Sequence, residues 1–305
     1  MRHQTANPAP NPSHSVCWLV VSISCLLTVA WAPLACGKTF TLPPIDTDLV
    51  GEIRTVEAQH EDTLLDIARR FEVGQREILL ANPDVARWLP GSGAEVTVPT
   101  RYVLPRAQRS GIVLNVPEMR LYYFPKAQSP GFATMQTYPV SIGRMDWATP
   151  LGTSKIVSKT RNPSWRPPES IRKEAAEQGK PLPEVIPPGP DNPLGNYAMR
   201  LSLPGYLIHS TNKPYGVGMR VTHGCVRMYP ENIEELFPSV AVGTPVQIVN
   251  QPVKVGWFFD TLYIEVHPPL EEDQTEAALV EMAMDLVVAA WEKRPLILNG
   301  RALKQ

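Results

Sequence analysis

The sequence has little of three things: cysteine, net charge and repetition. Its 305 residues include four cysteines and carry a formal net charge of -1. A nearly neutral chain has no general electrostatic attraction for nucleic acid or anionic lipid, which argues against both as partners. Neither a CxxC pair nor an HExxH spacing occurs, so two common sequence signatures of a zinc site are missing. The sequence also has no internal repeat and no low-complexity segment.

Proline, by contrast, is abundant. The chain has 33 prolines, about twice the usual share, and 43% of its residues are hydrophobic. This length predicts roughly two domains, and the hydrophobic content is enough for a sizeable core. So many prolines favour a loop-rich, strand-based fold over a helical bundle.

The first 37 residues have the order of an export signal. A polar start with Arg2 precedes an apolar run over residues 16–32, and the stretch "APLACGK" follows. This order predicts a secretory signal peptide and hence a periplasmic protein. A retained N-terminal anchor is the alternative, because the run approaches the roughly 17 apolar residues that a spanning helix needs. Pro33 stands where the lipoprotein pattern has an aliphatic residue, which disfavours lipidation of Cys36.

Three of the four cysteines lie in or beside this segment: Cys17, Cys25 and Cys36. If cleavage falls just after Cys36, Cys225 is the one cysteine that the exported protein keeps. A lone cysteine in an oxidising compartment indicates intermolecular pairing or a free reactive thiol.

Residues 38–53 read as an extended lead-in and residues 54–100 as a compact β-α-α-β module. Asp62 and Thr63 are helix-starting residues before an apolar face. The module resembles LysM, a small fold that binds N-acetylglucosamine-containing glycans. The matching residues are Asp62, Thr63, Leu64, Ile67, Ala68, Phe71, Leu80, Ala81, Asn82, Leu89, Pro90, Gly91, Val96, Val98 and Pro99. Glu61 stands where that family usually has glycine, so the alternative is a packing module that no longer binds sugar.

Strand patterns dominate residues 101–268, which predicts a mostly β domain built as a β-sandwich or barrel-like sheet. Residues 161–196 interrupt the strands as a long proline-rich loop, which is typical of a lid over a binding site. Its middle, "ESIRKEAAEQGK", predicts a short helix that ends at Gly179. Residues 269–305 form a C-terminal extension with one amphipathic helix over residues 272–293.

The stretch "VTHGCVRM" places Cys225 on a glycine-containing turn. His209 ends an apolar strand upstream, and Gly216 and Gly218 let the intervening chain double back. A histidine beside the thiol is the arrangement that cysteine acyl transfer needs, because the imidazole takes the proton of the nucleophile. Two other interpretations stay open from the residues alone. Free cysteine is often buried and structural, and His209, His223 and Cys225 are also three possible zinc ligands.

The stretch "HSTNKPYGVGMRVTHGCVRM" resembles the signature of the YkuD-type L,D-transpeptidases, a histidine followed closely by Ser/Thr-His-Gly-Cys. The similarity is to the ErfK/YbiS/YcfS/YnhG group, which pairs a LysM-like segment with this domain. The segments "GIVLNVPEMRLYYFP", "PPGPDNPLGNYAM" and "YLIHST" also look like this family. The sequence departs from the broader motif in two ways: the spacing after His209 is short, and position 227 is arginine instead of asparagine. Both features resemble those of this group.

The resemblance implies a role for each residue of the motif. Cys225 is the implied nucleophile and His209 the implied proton acceptor and donor. His223 would orient the loop or bind the oxyanion, which would also contact the backbone N–H groups of Gly224 and Cys225. The implied substrate-binding residues are Arg227, Arg220, Thr222 and Ser210. Either arginine could bind a carboxylate or form an ordinary ion pair, and either hydroxyl could fix a histidine tautomer or cap the turn.

The implied reaction is acyl transfer on peptidoglycan without a metal or organic cofactor. Cys225 would attack the third residue of a tetrapeptide stem, release D-alanine and pass the acyl group to an amine. The implied acceptor is a second stem or the lysine of a small outer-membrane lipoprotein, and carbapenems would acylate the same cysteine. The alternatives are an L,D-carboxypeptidase or amidase with water as the acceptor, and a non-catalytic protein that binds glycan strands.

Overall fold

The computed structural model of this chain describes residues 38–44, 47–126, 133–270 and 275–294. The predicted signal or anchor segment, residues 1–37, lies outside them. The strands are β1 (Lys38–Thr41), β2 (Leu49–Glu57), β3 (Glu95–Val103), β4 (Gly111–Asn115), β5 (Arg120–Phe124), β6 (Thr134–Gly143), β7 (Gly152–Arg161), β8 (Tyr197–Leu201), β9 (Leu207–His209), β10 (Arg220–Thr222), β11 (Val226–Met228), β12 (Pro245–Val249), β13 (Val253–Phe258) and β14 (Thr261–Val266). The α-helices are α1 (Leu64–Arg70), α2 (Gln75–Ala81), α3 (Glu169–Glu177), α4 (Pro230–Ser239) and α5 (Glu276–Lys293).

The central sheet closes on itself. Its order is β1-β6-β11-β9-β8-β7-β12-β4-β5, and β5 pairs again with β6. The circuit from β6 through β11 to β5 is therefore a barrel, while β1 and β10 are added at β6. The prediction of a mostly β, barrel-like domain is confirmed. Closure leaves the barrel strands paired on both sides, which removes the unprotected edges of an open sheet.

The hairpin of β4 and β5 shows why these sequences form buried strands. Every residue of both strands is buried. One face, including Ile112 and Leu114, belongs to the barrel core. The opposite face, including Val113 and Tyr122, packs in a second cluster with Phe40 and Tyr102. The alternating faces of each strand thus meet two different apolar layers, which matches their near-continuous hydrophobic sequence.

The small module consists of β2, α1, α2 and β3, in the predicted β-α-α-β order. β2 and β3 pair as an antiparallel ribbon from Leu49–Val103 to Glu57–Glu95. The ribbon extends beyond residues 54–100 at both ends, into the predicted lead-in and the predicted catalytic domain. Thr63 caps α1, since its hydroxyl accepts from the N–H of Asp66 while the Asp66 carboxylate accepts from the N–H of Thr63.

The corner between α1 and α2 docks onto the barrel. The N–H of Gln75 donates to the carbonyl of Val217 at 3.0 Å, in the loop that joins His209 to Cys225. The backbones meet so closely that a Cβ on Gly218 would lie 2.5 Å from the Cα of Gly74. Beneath this contact, the buried guanidinium of Arg120 donates to Glu77 at 2.7 Å. The module and the barrel are therefore joined by buried charge as well as by backbone hydrogen bonds.

We expect Glu77→Ala to destabilise the protein by about 3–5 kcal/mol, because it removes the carboxylate to which the buried Arg120 guanidinium donates. The more distant Glu118, 4.0 Å from Nε of Arg120, makes no hydrogen bond that replaces it. The Glu77 carboxylate also accepts from the N–H of Gly74 at the start of α2, and that contact is lost too. Urea unfolding of the purified protein measures the change. Glu95→Ala, at an exposed position of β3, is the matched control. A loss below about 1 kcal/mol, the size expected of a solvent-exposed pair, would contradict the prediction.

The C-terminal helix is confirmed over the described residues as α5. Leu279 and Ala290 are its buried side chains, and α5 packs on β13. Helix α4 was not predicted: its sequence "PENIEELFPS" is short and has a proline near each end. In the part of the chain with described coordinates, no helix is both long and apolar enough to cross a bilayer.

Candidate active site

Strand pairing brings His209 next to the Cys225 turn. β9 and β11 run parallel, with Ile208 opposite Val226 and His209 opposite Arg227. Ile208 and Val226 belong to the barrel core. Because alternate residues of a strand face opposite sides, His209, Arg227 and Cys225 share the other face. That face lines a pocket of about 560 Å³.

The His209 ring is buried and its tautomer is defined by a backbone contact. Nδ1 lies 2.6 Å from the carbonyl oxygen of Ser210. Since a carbonyl oxygen only accepts, Nδ1 carries a proton, and in the neutral ring the lone pair is on Nε2. Burial lowers the pKa of His209 to about 3, with a further lowering from Arg227, while the carbonyls of Ser210 and Leu194 oppose the shift. His209 is therefore neutral at physiological pH and able to accept a proton.

This lowered pKa fixes the direction in which stability changes with pH. Between about pH 6.5 and pH 3 the unfolded chain holds a proton on His209 that the folded protein does not. The contribution of His209 to the free energy of unfolding therefore decreases as the pH falls through this interval. Above the interval the full stabilising contribution of His209 is present. Urea unfolding at pH 7 and pH 5 should show a smaller loss of stability in His209→Gln than in wild type. An equal loss in both proteins would mean that His209 is not the group that takes up the proton on unfolding.

Burial also raises the pKa of the Cys225 thiol. The N–H of Leu207 and the charges of Arg227 and Arg200 favour the thiolate but do not reverse this effect. The Sγ atom lies 3.6 Å from the carbonyl of Gly205, as a thiol donor would. The resting pair is thus a neutral thiol and a neutral imidazole. A neutral thiol becomes a nucleophile only when a base takes its proton, and a neutral imidazole can act as such a base.

Two threonine hydroxyls fix the peptide units around the cysteine. Thr149 Oγ1 donates to the carbonyl of Gly224 at 2.9 Å, and Thr222 Oγ1 donates to the carbonyl of Cys225 at 2.6 Å. In a trans peptide the N–H points away from the carbonyl of the same unit. The N–H of Cys225 is therefore directed away from Thr149. Fixed N–H groups beside a nucleophile are the usual donors to a tetrahedral oxyanion.

Only glycine fits at position 224. Its φ is +92°, in the left-handed region that favours glycine. A Cβ at this position would lie 2.6 Å from Cε1 of Tyr206. The glycine of the predicted motif is thus required both by the turn and by the neighbouring aromatic ring.

The pocket is lined by three arginines: Arg166, Arg200 and Arg227. Its described lining contains no aspartate or glutamate. Burial lowers the pKa of Arg227, and its Nε has no hydrogen-bond partner within the described residues. A buried polar nitrogen without a partner is costly. The pocket is therefore suited to an anionic ligand such as a peptide carboxylate.

The four predicted substrate-binding residues divide into two groups. Arg227 and Thr222 line the pocket, although the hydroxyl of Thr222 is engaged by the Cys225 carbonyl. Arg220 and Ser210 lie outside the lining. The Nε of Arg220 donates to the Gly143 carbonyl at 3.3 Å, and the backbone carbonyl of Ser210, rather than its hydroxyl, contacts the His209 ring.

The lid segment contacts His223 directly. Nε2 of His223 lies 2.7 Å from a carboxylate oxygen of Glu174 on α3, and the imidazole packs edge-on against Trp147 with ring centroids 5.2 Å apart. Arg144 donates to the other oxygen of Glu174. Hydrogen bonds from Arg144 and from His223, each reinforced by charge, outweigh a small effect of burial and hold the pKa of Glu174 below its ordinary value.

Among the described residues, the side chains close enough to share a metal ion are Glu118, Glu265 and His267. They are not the residues of the alternative zinc set. Lys254 Nζ already lies 2.8 Å from Glu118 and 2.9 Å from Glu265. The buried ammonium therefore supplies the positive charge that these carboxylates need. His209 and His223, the histidines of the alternative zinc set, are each bonded to an oxygen of the protein.

Several residues at this site were missed by sequence reasoning. Arg200 follows the alternating pattern of β8 and has no local signal. Glu174 lies in a helix whose charged side chains look alike, and Thr149 and Tyr206 are in loops. Their positions depend on contacts between segments far apart in the sequence, such as the 75 residues that separate Thr149 from Gly224. The charged residues of the lid segment suggested that it could contact the site. They did not distinguish Glu174 from the other charged residues.

Comparison with known proteins gives consistent matches. Residues 109–248 match the YkuD family, the L,D-transpeptidase catalytic domain. The chain is 41% identical over 250 residues to the probable L,D-transpeptidase YcfS of Escherichia coli, which covers 80% of this chain and 77% of that protein. It is 39% identical to the probable L,D-transpeptidase ErfK/SrfK of the same organism, with 84% and 83% covered. The catalytic domain of the E. faecium L,D-transpeptidase, solved by NMR, aligns with a TM-score of 0.35 and 19% identity over 48% of this chain and 100% of that chain.

Proposed function

The chain belongs to the YkuD family of L,D-transpeptidases, and from this premise we propose that it transfers acyl groups between peptidoglycan stem peptides and an amine through Cys225. The observation that supports the proposal is the parallel pairing of β9 with β11, because the neutral ring of His209 and the thiol of Cys225 then line the same arginine-containing pocket. The fixed peptide unit at Gly224 and Cys225 supports an oxyanion site next to the same sulfur.

In the first half-reaction the sulfur of Cys225 attacks the carbonyl carbon of the third residue of a tetrapeptide stem. His209 Nε2 takes the thiol proton as the C–S bond forms, and the N–H of Cys225 stabilises the oxyanion. Collapse of the tetrahedral intermediate breaks the peptide bond to the terminal D-alanine. The imidazolium of His209 returns the proton to the leaving amine, which leaves a thioester on Cys225.

In the second half-reaction an amine attacks the thioester and Cys225 is released as a thiol. The acceptor is the lysine of a small outer-membrane lipoprotein or the diamino acid of a second stem. The lid supports transfer over hydrolysis, because Trp165, Pro168 and Leu194 line the pocket with apolar surface and limit the access of water. Hydrolysis by a carboxypeptidase on the same scaffold is the alternative and differs only in the acceptor.

The protein acts in the periplasm under this proposal, after export through residues 1–37. The LysM-like module would bind glycan strands near the stems. Its exposed side chains include Trp88 and Leu89, which offer the apolar surface on which sugar rings stack. Docking of the module on the loop before Cys225 would keep this surface in a fixed relation to the pocket.

The reaction is tested with a purified disaccharide tetrapeptide and the exported form of the protein. We expect release of D-alanine and, when an acceptor stem or a lipoprotein C-terminal peptide is added, a product whose mass equals the two joined chains less D-alanine. Chromatography with mass spectrometry identifies the products. Release of D-alanine with only a tripeptide product would indicate the carboxypeptidase. No release from stems of any length would contradict the proposed function.

A further inference from the structure

Glu174 of helix α3 joins the lid to the nucleophile loop, the turn of residues 223–225 between β10 and β11. Glu174 uses both carboxylate oxygens, one toward Nε2 of His223 at 2.7 Å and the other toward the guanidinium of Arg144. One partner belongs to the Cys225 turn and the other to a neighbouring segment. His223 directly precedes Gly224, and Arg144 follows β6, the strand that pairs with β10 and β11.

Arg144 is itself bonded to the loop. Its backbone N–H donates to the carbonyl of Thr222 at 3.0 Å, and Thr222 in turn donates to the carbonyl of Cys225. Glu174 is therefore linked to Cys225 by two routes. One is the hydrogen bonds through Arg144 and Thr222, and the other is the backbone that leads from His223 through Gly224.

The base of the lid is held independently of Glu174. Trp165 and Ile186 form a β-bridge across it, and the fully buried Asn192 donates to the carbonyl of Pro163 at 2.8 Å. A change at Glu174 thus removes the contact of α3 with the nucleophile loop while the bridge and the Asn192 contacts remain.

We propose that Glu174 is a positioning residue that acts through His223: when the lid covers the pocket, its carboxylate fixes the His223 ring and thereby the Gly224–Cys225 peptide that receives the oxyanion. The inference rests on the proposed function of Cys225. It assigns to the lid a role in the acylation step, in addition to excluding water from the pocket.

Charge balance is consistent with this role. An isolated carboxylate near a developing oxyanion would raise the energy of the tetrahedral intermediate. Arg144 neutralises Glu174, so the acidic group can orient His223 without that cost. The lowered pKa of Glu174 keeps it charged throughout the neutral range. Glutamine at this position has the same shape but loses the charge. Its amide has one oxygen, so it cannot accept from both His223 and Arg144 through separate oxygens.

The test follows acylation of Cys225 by a carbapenem, with intact-mass detection at a series of concentrations. We expect Glu174→Gln to lower the limiting acylation rate about ten- to hundredfold, the range that small misplacement of reacting groups produces, with little change in the concentration for half-maximal rate. Glu177→Gln, one helical turn away and exposed, is the matched control and should acylate at the wild-type rate. The thermal midpoints of all variants are measured to detect a folding defect.

The route through His223 is tested by a double-mutant cycle. If Glu174 acts through His223, Glu174→Gln should add little to the effect of His223→Gln. Equal rates for Glu174→Gln and Glu177→Gln, or fully additive effects in the cycle, would overturn the inference while leaving the proposed function intact. Absence of any adduct on the wild-type protein would instead count against Cys225 as the nucleophile. A slower rate that coincides with a large drop in thermal midpoint would assign Glu174 a structural role and also overturn the inference.

Discussion

The Cys225→Ala variant is expected to release no D-alanine from a tetrapeptide stem and to gain no mass from a carbapenem. Both reactions require a sulfur that forms a covalent bond with a carbonyl carbon, and the methyl group of alanine cannot replace it. Cys225 is the cysteine that the described part of the chain contains. Loss of a covalent nucleophile typically removes most of the rate enhancement, on the order of 10⁶-fold in kcat for a well-studied serine enzyme.

The same substitution should leave the fold and the binding of peptidoglycan unchanged. The sulfur contacts the backbone, through the carbonyl of Gly205 at 3.6 Å and the N–H of Leu207, and the alanine side chain keeps the Cβ. Pull-down with purified sacculi and the thermal midpoint serve as the two controls. A carbapenem adduct of equal amount on wild type and Cys225→Ala would show that another group reacts. Cross-linked or lipoprotein-linked products that persist in the variant would contradict the cysteine mechanism.

The parts of this site that could be predicted are those encoded locally. The glycines at 216 and 218 predicted that a loop and a returning strand bring the chain back toward His209. In the structure β9 and β11 do pair, but they run parallel, and β10 lies between them in the sequence. Gly224 was singled out for its missing side chain, and its positive φ is the conformation in which that matters most. Alternating hydrophobicity was enough to predict the strands that carry these residues.

The parts that were missed depend on which distant segments meet. Nothing in "ESIRKEAAEQGK" distinguishes Glu174 from Glu177, because the difference is the orientation of α3 toward His223. The buried pair of Arg120 and Glu77 looks like two surface charges in the sequence, since only the docking of the module removes both from water. Closure of the barrel is equally non-local. It requires β5 to pair with β6, and β4 to pair with the distant strand β12.

Arg220 illustrates a different limit. Two arginines flank the cysteine in the sequence, and each could bind a carboxylate. β10 pairs with β6 and directs Arg220 to the Gly143 carbonyl, whereas β11 pairs with β9 and presents Arg227 to the pocket. The sequence of the short turn between β10 and β11 does not indicate with which strand each of the two pairs. It therefore does not indicate which arginine faces the pocket.

The His209→Gln variant is expected to acylate about 10²- to 10⁴-fold more slowly than wild type, which is the usual contribution of a general base. The resting thiol is neutral because burial raises its pKa, so attack requires a group that accepts its proton. Glutamine preserves much of the shape of the ring and has no basic nitrogen. His60→Gln, at an exposed position of the module, is the control. A rate within about threefold of wild type in His209→Gln would contradict the role of the base.

The pH dependence of the wild-type rate tests the same role of His209 without a substitution. Its pKa is about 3 in the folded protein because burial disfavours the charged ring, compared with about 6.5 for an exposed imidazole. We therefore expect the limiting rate of carbapenem acylation to stay level between about pH 5 and pH 8, the range in which an ordinary histidine would change its charge. A decline with a midpoint near pH 6.5, on the order of the exposed value, would show that His209 titrates as if it were in water. The ring would then be half protonated near pH 6.5, which would contradict the expectation that burial keeps His209 neutral down to much lower pH.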